Sequence, residues 1–104
     1  ASSAGSTPGS LDDMRRHAGE AETLLKALAN RNRLLILCSL AGGELSVTAL
    51  NEQVPLSQSA LSQHLARMRE ENIVGFRRSA QTLYYRVTDP RILKILATLK
   101  SIYC

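Results

Sequence analysis

The chain has 104 residues, with 13 Lys and Arg against 9 Asp and Glu, for a net charge of +4. That length accommodates one domain with a modest core, and chains this small often gain stability by dimerising. The charge permits a nucleic-acid partner without requiring one, and with no apolar run near membrane-span length and no signal peptide at the start, the sequence excludes a membrane protein and predicts a cytoplasmic one.

Residues 1–10, ASSAGSTPGS, are rich in Ser, Gly and Pro and predict a disordered tail ahead of a single domain over residues 11–104. Ser10 and Asp13 have the spacing of a helix-capping pair, after which Met14, Ala18, Ala21, Leu25 and Leu28 trace one face of a first helix. Asn30 is placed to cap a second helix. Its run Leu34, Leu35, Ile36, Leu37, Cys38 is apolar on all sides and predicts a central, buried helix that ends at Gly42 and Gly43.

Ser46 predicts the cap of a short third helix with Val47, Leu50 and Val54 at helical spacing, and Pro55 stops it because the residue before a proline is pushed out of the α region. Ser57 caps the next helix. On it Leu61, Leu65 and Met68 face the core, while Ser59, Ser62, Gln63, Ala66 and Arg67 point away. A small, amide-rich outward face suits a DNA major groove, where Gln can pair bidentately with adenine and Ser can donate or accept.

After Asn72 the period changes to that of strands. Val74, Phe76 and Arg78 alternate with Gly75, Arg77 and Ser79, and Thr82 to Val87 is rich in β-branched and aromatic residues, so Ser79-Ala80-Gln81 reads as a hairpin tip. Arg77, Arg78 and Arg86 on this ribbon are placed to meet phosphate, which binds without reading sequence. Asp89-Pro90 then starts a last helix carrying Ile92, Leu93, Ile95, Leu96, Leu99, Ile102 and Tyr103, more apolar surface than one contact covers. The fold class is therefore mainly α with a β-hairpin wing, a winged helix-turn-helix. The first and last helices are expected to form a homodimer that reads a pseudo-palindromic operator on double-stranded DNA.

The segments ALANRNRLLIL (27–37), ELSV from residue 44, LSQSALSQHL (56–65) and QTLYYRV (81–87) resemble the ArsR family of bacterial repressors over about residues 11–104. The resemblance implies a homodimer paired through its first and last helices. It also implies DNA contacts from Gln58, Ser59, Ser62 and Gln63 with His64 close by, His64 being equally able simply to pack, and the ribbon's Arg77, Arg78 and Gln81 with Arg67 complete the expected surface.

Many members of that family sense metals. At the family's thiolate positions this chain has Ser46 and Thr48. At its interfacial zinc positions Asp89 is retained, Arg91 and Ile102 replace histidines, and the last acidic ligand would lie past residue 104. Cys and His at 17, 38, 64 and 104 have no zinc-site spacing, so no metal and no cofactor are expected. Taken alone, Cys38 is a small buried hydrophobe and Cys104 a frayed end. One Cys in the second helix and one at the end of the last is, however, similar to the BigR/SqrR/HlyU persulfide- and redox-sensing subgroup. That likeness implies that a persulfide, polysulfide or oxidant bridges Cys38 to Cys104 and releases DNA. The alternatives are a metal-responsive or constitutive repressor and a thiol oxidoreductase. No enzyme is expected, because Ser62 and His64 stand two apart on one helix, and neither a Gly-rich phosphate loop nor a CxxC motif occurs.

Overall fold

The computed structural model describes residues 11–103, with helices α1 (Leu11–Leu28), α2 (Arg31–Leu40), α3 (Val47–Gln53), α4 (Gln58–Glu70) and α5 (Pro90–Tyr103) and strands β1 (Leu45–Ser46), β2 (Val74–Ser79) and β3 (Thr82–Val87). The expected tail over residues 1–10, the cap at Ser10 and the terminal Cys104 lie outside the described residues. The chain divides into two compact units, one up to Asn30 and one from Arg31 onward.

The described part of the first unit is α1 with its short exit. Asp12 and Asp13 occupy its first turn and Lys26 its last, charges matched to the helix dipole. Of the face expected from the sequence, Leu28 is buried, Ala21 is half-buried, and Met14, Ala18 and Leu25 are exposed.

The second unit is a winged helix-turn-helix. Its core is built from Ile36, Leu37 and Leu40 of α2, Leu50 and Val54 around α3, Leu61, Leu65 and Met68 of α4, Ile73, Val74, Tyr85 and Val87 of the sheet region, and Ile92 and Leu96 of α5. The expectation for α2 needs correction. Its buried residues form a single stripe, and Leu35 and Cys38, three apart on the other side, are exposed. An apolar sequence on all sides does not bury all sides when only one face has elements packed against it.

The sheet has three antiparallel strands in the order β1-β3-β2, one more than the hairpin read from the sequence. Val74 pairs with Val87 and Phe76 with Tyr85, which sets one face of the ribbon toward the core, and the Phe76 and Tyr85 rings lie 5.5 Å apart. The pairing of Ser79 with Thr82 reduces the tip to Ala80 and Gln81, with Ala80 held at φ 56°.

Between α4 and the ribbon the chain has almost no slack. Asn72 takes φ 62°, its N–H donates to the Arg69 carbonyl at 3.0 Å, and the Ile73 N–H reaches back to the Met68 carbonyl at 2.9 Å. These two bonds are those of a Schellman turn, in which Asn is tolerated at the left-handed position.

On α5 only Ile92 and Leu96 are fully buried; Ile95 and Leu99 are half-covered, and Leu93, Ile102 and Tyr103 are exposed. The helix is started by Asp89, whose carboxylate accepts from the Arg91 N–H at 2.9 Å and from the Arg91 guanidinium at 3.1 and 2.8 Å. The Arg91 hydrogen bonds hold the Asp89 carboxyl below the ordinary aspartate value of 3.8. A carboxylate stabilised in this way contributes in full above that ordinary value, and its contribution is lost as the pH falls through the lowered one. Asp89→Ala is expected to cost about 1 kcal/mol near neutrality. In urea denaturation the gap from wild type should narrow below about pH 4, and an equal gap at pH 7 and pH 3 would remove the charge from this account.

Candidate nucleic-acid interface

The helix-turn-helix is defined by two serine caps and one side-chain clamp. The Ser46 hydroxyl accepts from the Ala49 N–H at 3.2 Å to start α3, and the Ser57 hydroxyl accepts from the Ala60 N–H at 3.1 Å to start α4. Between them Val54 leaves the helical region ahead of Pro55, and the Asn51 side-chain amide donates to the Leu56 carbonyl at 2.7 Å, closing the turn. The clamp at Asn51 was not anticipated from the sequence. An Asn at that position bonds a carbonyl five residues on, a partner that no local pattern announces.

The apolar stripe Leu61, Leu65 and Met68 is wholly buried, so the rotation of α4 about its axis is set. The opposite face therefore projects Gln58, Ser59, Ser62, Gln63, Ala66 and Arg67 into solvent as one row, while His64 sits half-buried at its flank. Such a face, with two hydroxyls and two amides in the N-terminal half of the helix and Arg67 in the last turn, has the chemistry of base-edge and phosphate contact.

On the wing, Arg78 and the turn residue Gln81 are exposed. Arg77 has a different neighbourhood: its Nε donates to both Glu44 carboxylate oxygens at 2.9 and 3.0 Å, and its guanidinium lies 4.8 Å from the centre of the Tyr84 ring. The same hydrogen bond holds the Glu44 carboxyl below its usual range and pushes the Arg77 guanidinium up. Sequence reasoning missed Glu44, which stands 33 residues from its partner. Arg69 of α4 stacks 4.9 Å from the Phe76 ring centre, joining α4 to the wing.

Arg33 of α2 grips Glu71, the residue ending α4, through two hydrogen bonds of 3.0 and 3.1 Å. Cys38 is exposed in the last turn of the same α2, which corrects the expectation that it is buried. Among the described residues no group of three or more His, Cys, Asp or Glu could hold a metal, and no helix is long and apolar enough to cross a membrane.

The model for bacterial regulatory proteins of the arsR family matches residues 24–75. The transcriptional activator HlyU of Vibrio cholerae is 43% identical over 97 residues, which cover 93% of this chain and 90% of that protein. Among solved structures, the transcriptional regulator HlyU of Vibrio vulnificus superposes with a TM-score of 0.85 at 47% identity, covering 90% of this chain and 98% of that one. The transcriptional repressor BigR of Xylella fastidiosa gives a TM-score of 0.84 at 38% identity, over 89% and 95% of the two chains. A capped helix-turn-helix, a three-stranded wing and relatives of this extent lead to one conclusion: the chain is a transcriptional regulator and belongs to the ArsR family.

Proposed function

We propose that the chain acts in the bacterial cytoplasm as a homodimeric repressor that holds operator DNA when reduced and releases it when Cys38 and Cys104 become bridged. The observation that carries the DNA half is the exposed row Gln58, Ser59, Ser62, Gln63 and Arg67 on a helix whose rotation is fixed by a buried stripe. Gln63 and its neighbours read bases, and Arg78 and Gln81 hold the backbone at the wing. His64 flanks this row.

Dimerisation is supported by α5, which leaves Leu93, Ile102 and Tyr103 exposed in the single chain, and separately by α1, which leaves Leu11, Met14 and Leu25 exposed. A two-fold dimer presents two recognition helices to half-sites about 34 Å apart. A thiol input is supported by the exposure of Cys38 and by the resemblance to the thiol-sensing subgroup. Against a metal input stands Arg91, whose cationic side chain already occupies the Asp89 carboxylate.

The test is a binding isotherm on the DNA upstream of the protein's own gene, first reduced and then treated with glutathione persulfide. Gln63→Ala should cost about 1 to 3 kcal/mol on that duplex and relax its preference over random DNA. Arg78→Ala should weaken both duplexes alike and reduce the salt slope by about one. Equal losses from both variants on both duplexes would remove the division between base reading and backbone holding. Release by a stoichiometric metal instead of persulfide would favour a metal sensor, and many turnovers per protein a thiol oxidoreductase.

A further inference from the structure

One row of residues crosses the outward face of the sheet. Ser46 on β1 pairs with Tyr84 on β3, and Tyr84 pairs with Arg77 on β2, so the three stand in line across the strand order β1-β3-β2. Arg77 lies over the Tyr84 ring and fastens to Glu44, the residue immediately before β1. Its side chain thus spans the middle strand and holds the segment that enters the far edge strand. That strand is only two residues long and makes only two pairings, Leu45 with Tyr85 and Ser46 with Tyr84. Ser46 is also the cap of α3, so the position of β1 sets where the helix-turn-helix begins.

We infer that Glu44, Arg77 and Tyr84 form a bracket that fixes the wing against the helix-turn-helix, with Arg77 a positioning residue rather than a phosphate contact. The inference rests on the DNA-binding reading above for its functional consequence, but the bracket itself is a property of the free protein. Two features favour positioning. The Nε and Nη2 edge of the guanidinium, one of the two edges with which an Arg can grip a phosphate, is already occupied by the two oxygens of the Glu44 carboxylate, a forked contact that Arg supports and Lys does not. A phosphate approaching the same spot would also meet the negative charge of Glu44. Arg78, one residue nearer the tip and without an ion pair among the described residues, has neither obstacle.

The experiment compares wild type with Arg77→Lys, Glu44→Ala and the double variant. Binding is read at several salt concentrations on the upstream duplex and on a random duplex, and amide exchange is read on the DNA-free protein. Arg77→Lys keeps the charge but loses the fork and the flat stacking surface. It should weaken upstream binding about fivefold with the salt slope unchanged. Glu44→Ala should match it, and the double variant should be no weaker than either, as two halves of one contact require. In the free protein both single variants should exchange the β1 amides about fivefold faster. Tighter binding of Glu44→Ala to both duplexes, or full retention of binding by Arg77→Lys, would make Arg77 a phosphate contact and overturn the inference. Unchanged β1 exchange in both variants would overturn it independently. If wild type binds neither duplex, the DNA-binding proposal fails, and the exchange measurement still decides whether the bracket exists.

Discussion

Cys38→Ser is expected to bind the upstream DNA as tightly as wild type and to keep hold of it when glutathione persulfide is added. The physical basis is the placement of Cys38 on α2, where Ile36, Leu37 and Leu40 face inward and leave position 38 exposed. An exposed Cys→Ser change falls among the substitutions that alter stability by less than about 0.5 kcal/mol. Reactivity has its own logic. In the last turn of a helix the dipole disfavours a thiolate, so Cys38 should react slowly with plain peroxide. A persulfide donor carries an activated sulfur that transfers to the thiol with release of the donor's own thiol. The Cys38 persulfide and the Cys104 thiol can then close a disulfide with loss of hydrogen sulfide, and two persulfides can close a trisulfide with the same loss. Each added sulfur lengthens the bridge by about 2 Å, which relaxes the limit of roughly 7 Å between Cα atoms for a direct disulfide. Closure would enclose residues 39–103, the entire winged motif, and a small tilt between subunits is enough to misplace two helices that must fit successive grooves. Cys104→Ser should behave as Cys38→Ser does. Mass spectrometry decides: the absence of any species joining the Cys38 and Cys104 peptides, or DNA release by either Ser variant, ends the switch proposal.

Leu65→Ala is expected to cost about 2 to 5 kcal/mol of folding stability, the largest effect of any single change considered. Leu65 is completely buried in the middle of α4, between Leu61 and Met68 on the same stripe. Small domains hold only about 5 to 15 kcal/mol in total, so the variant should melt far earlier and lose DNA through unfolding rather than through any missing contact. Ser62→Ala on the opposite, exposed face of the same helix should change stability by less than about 0.5 kcal/mol. Urea denaturation of the two variants separates these outcomes, and similar midpoints would contradict the rotation assigned to α4.

The features legible in the sequence were those whose causes are local. Ser46, Ser57 and Pro55 mark the ends of α3 and α4 by chemistry acting within four residues, and the spacing of Leu61, Leu65 and Met68 is enough to assign the inward and outward faces of α4. Besides the Asn51 clamp, three things escaped because their causes are distant or too short to leave a pattern. β1 has two residues, fewer than any alternation needs, and exists because β3 offers it an edge. The exposure of Cys38 depends on which face of α2 other elements reach, and an apolar run hides that choice. The engagement of Arg77 depends on Glu44, so a sequence rule that treats wing arginines alike cannot separate Arg77 from Arg78.

The Schellman turn at Asn72 has a mechanical consequence. With a single left-handed residue, two backbone bonds and the Arg69 to Phe76 stack joining them, α4 and the wing are expected to move as one stiff lever rather than as two hinged probes. A lever cannot withdraw its tip and leave its shaft in place. On the proposed function, a change in subunit geometry should therefore surrender base reading and backbone holding together. On the proposed function, the wing should not linger as a charged tether beside the operator, and the response to an inducer should be abrupt at each site rather than graded.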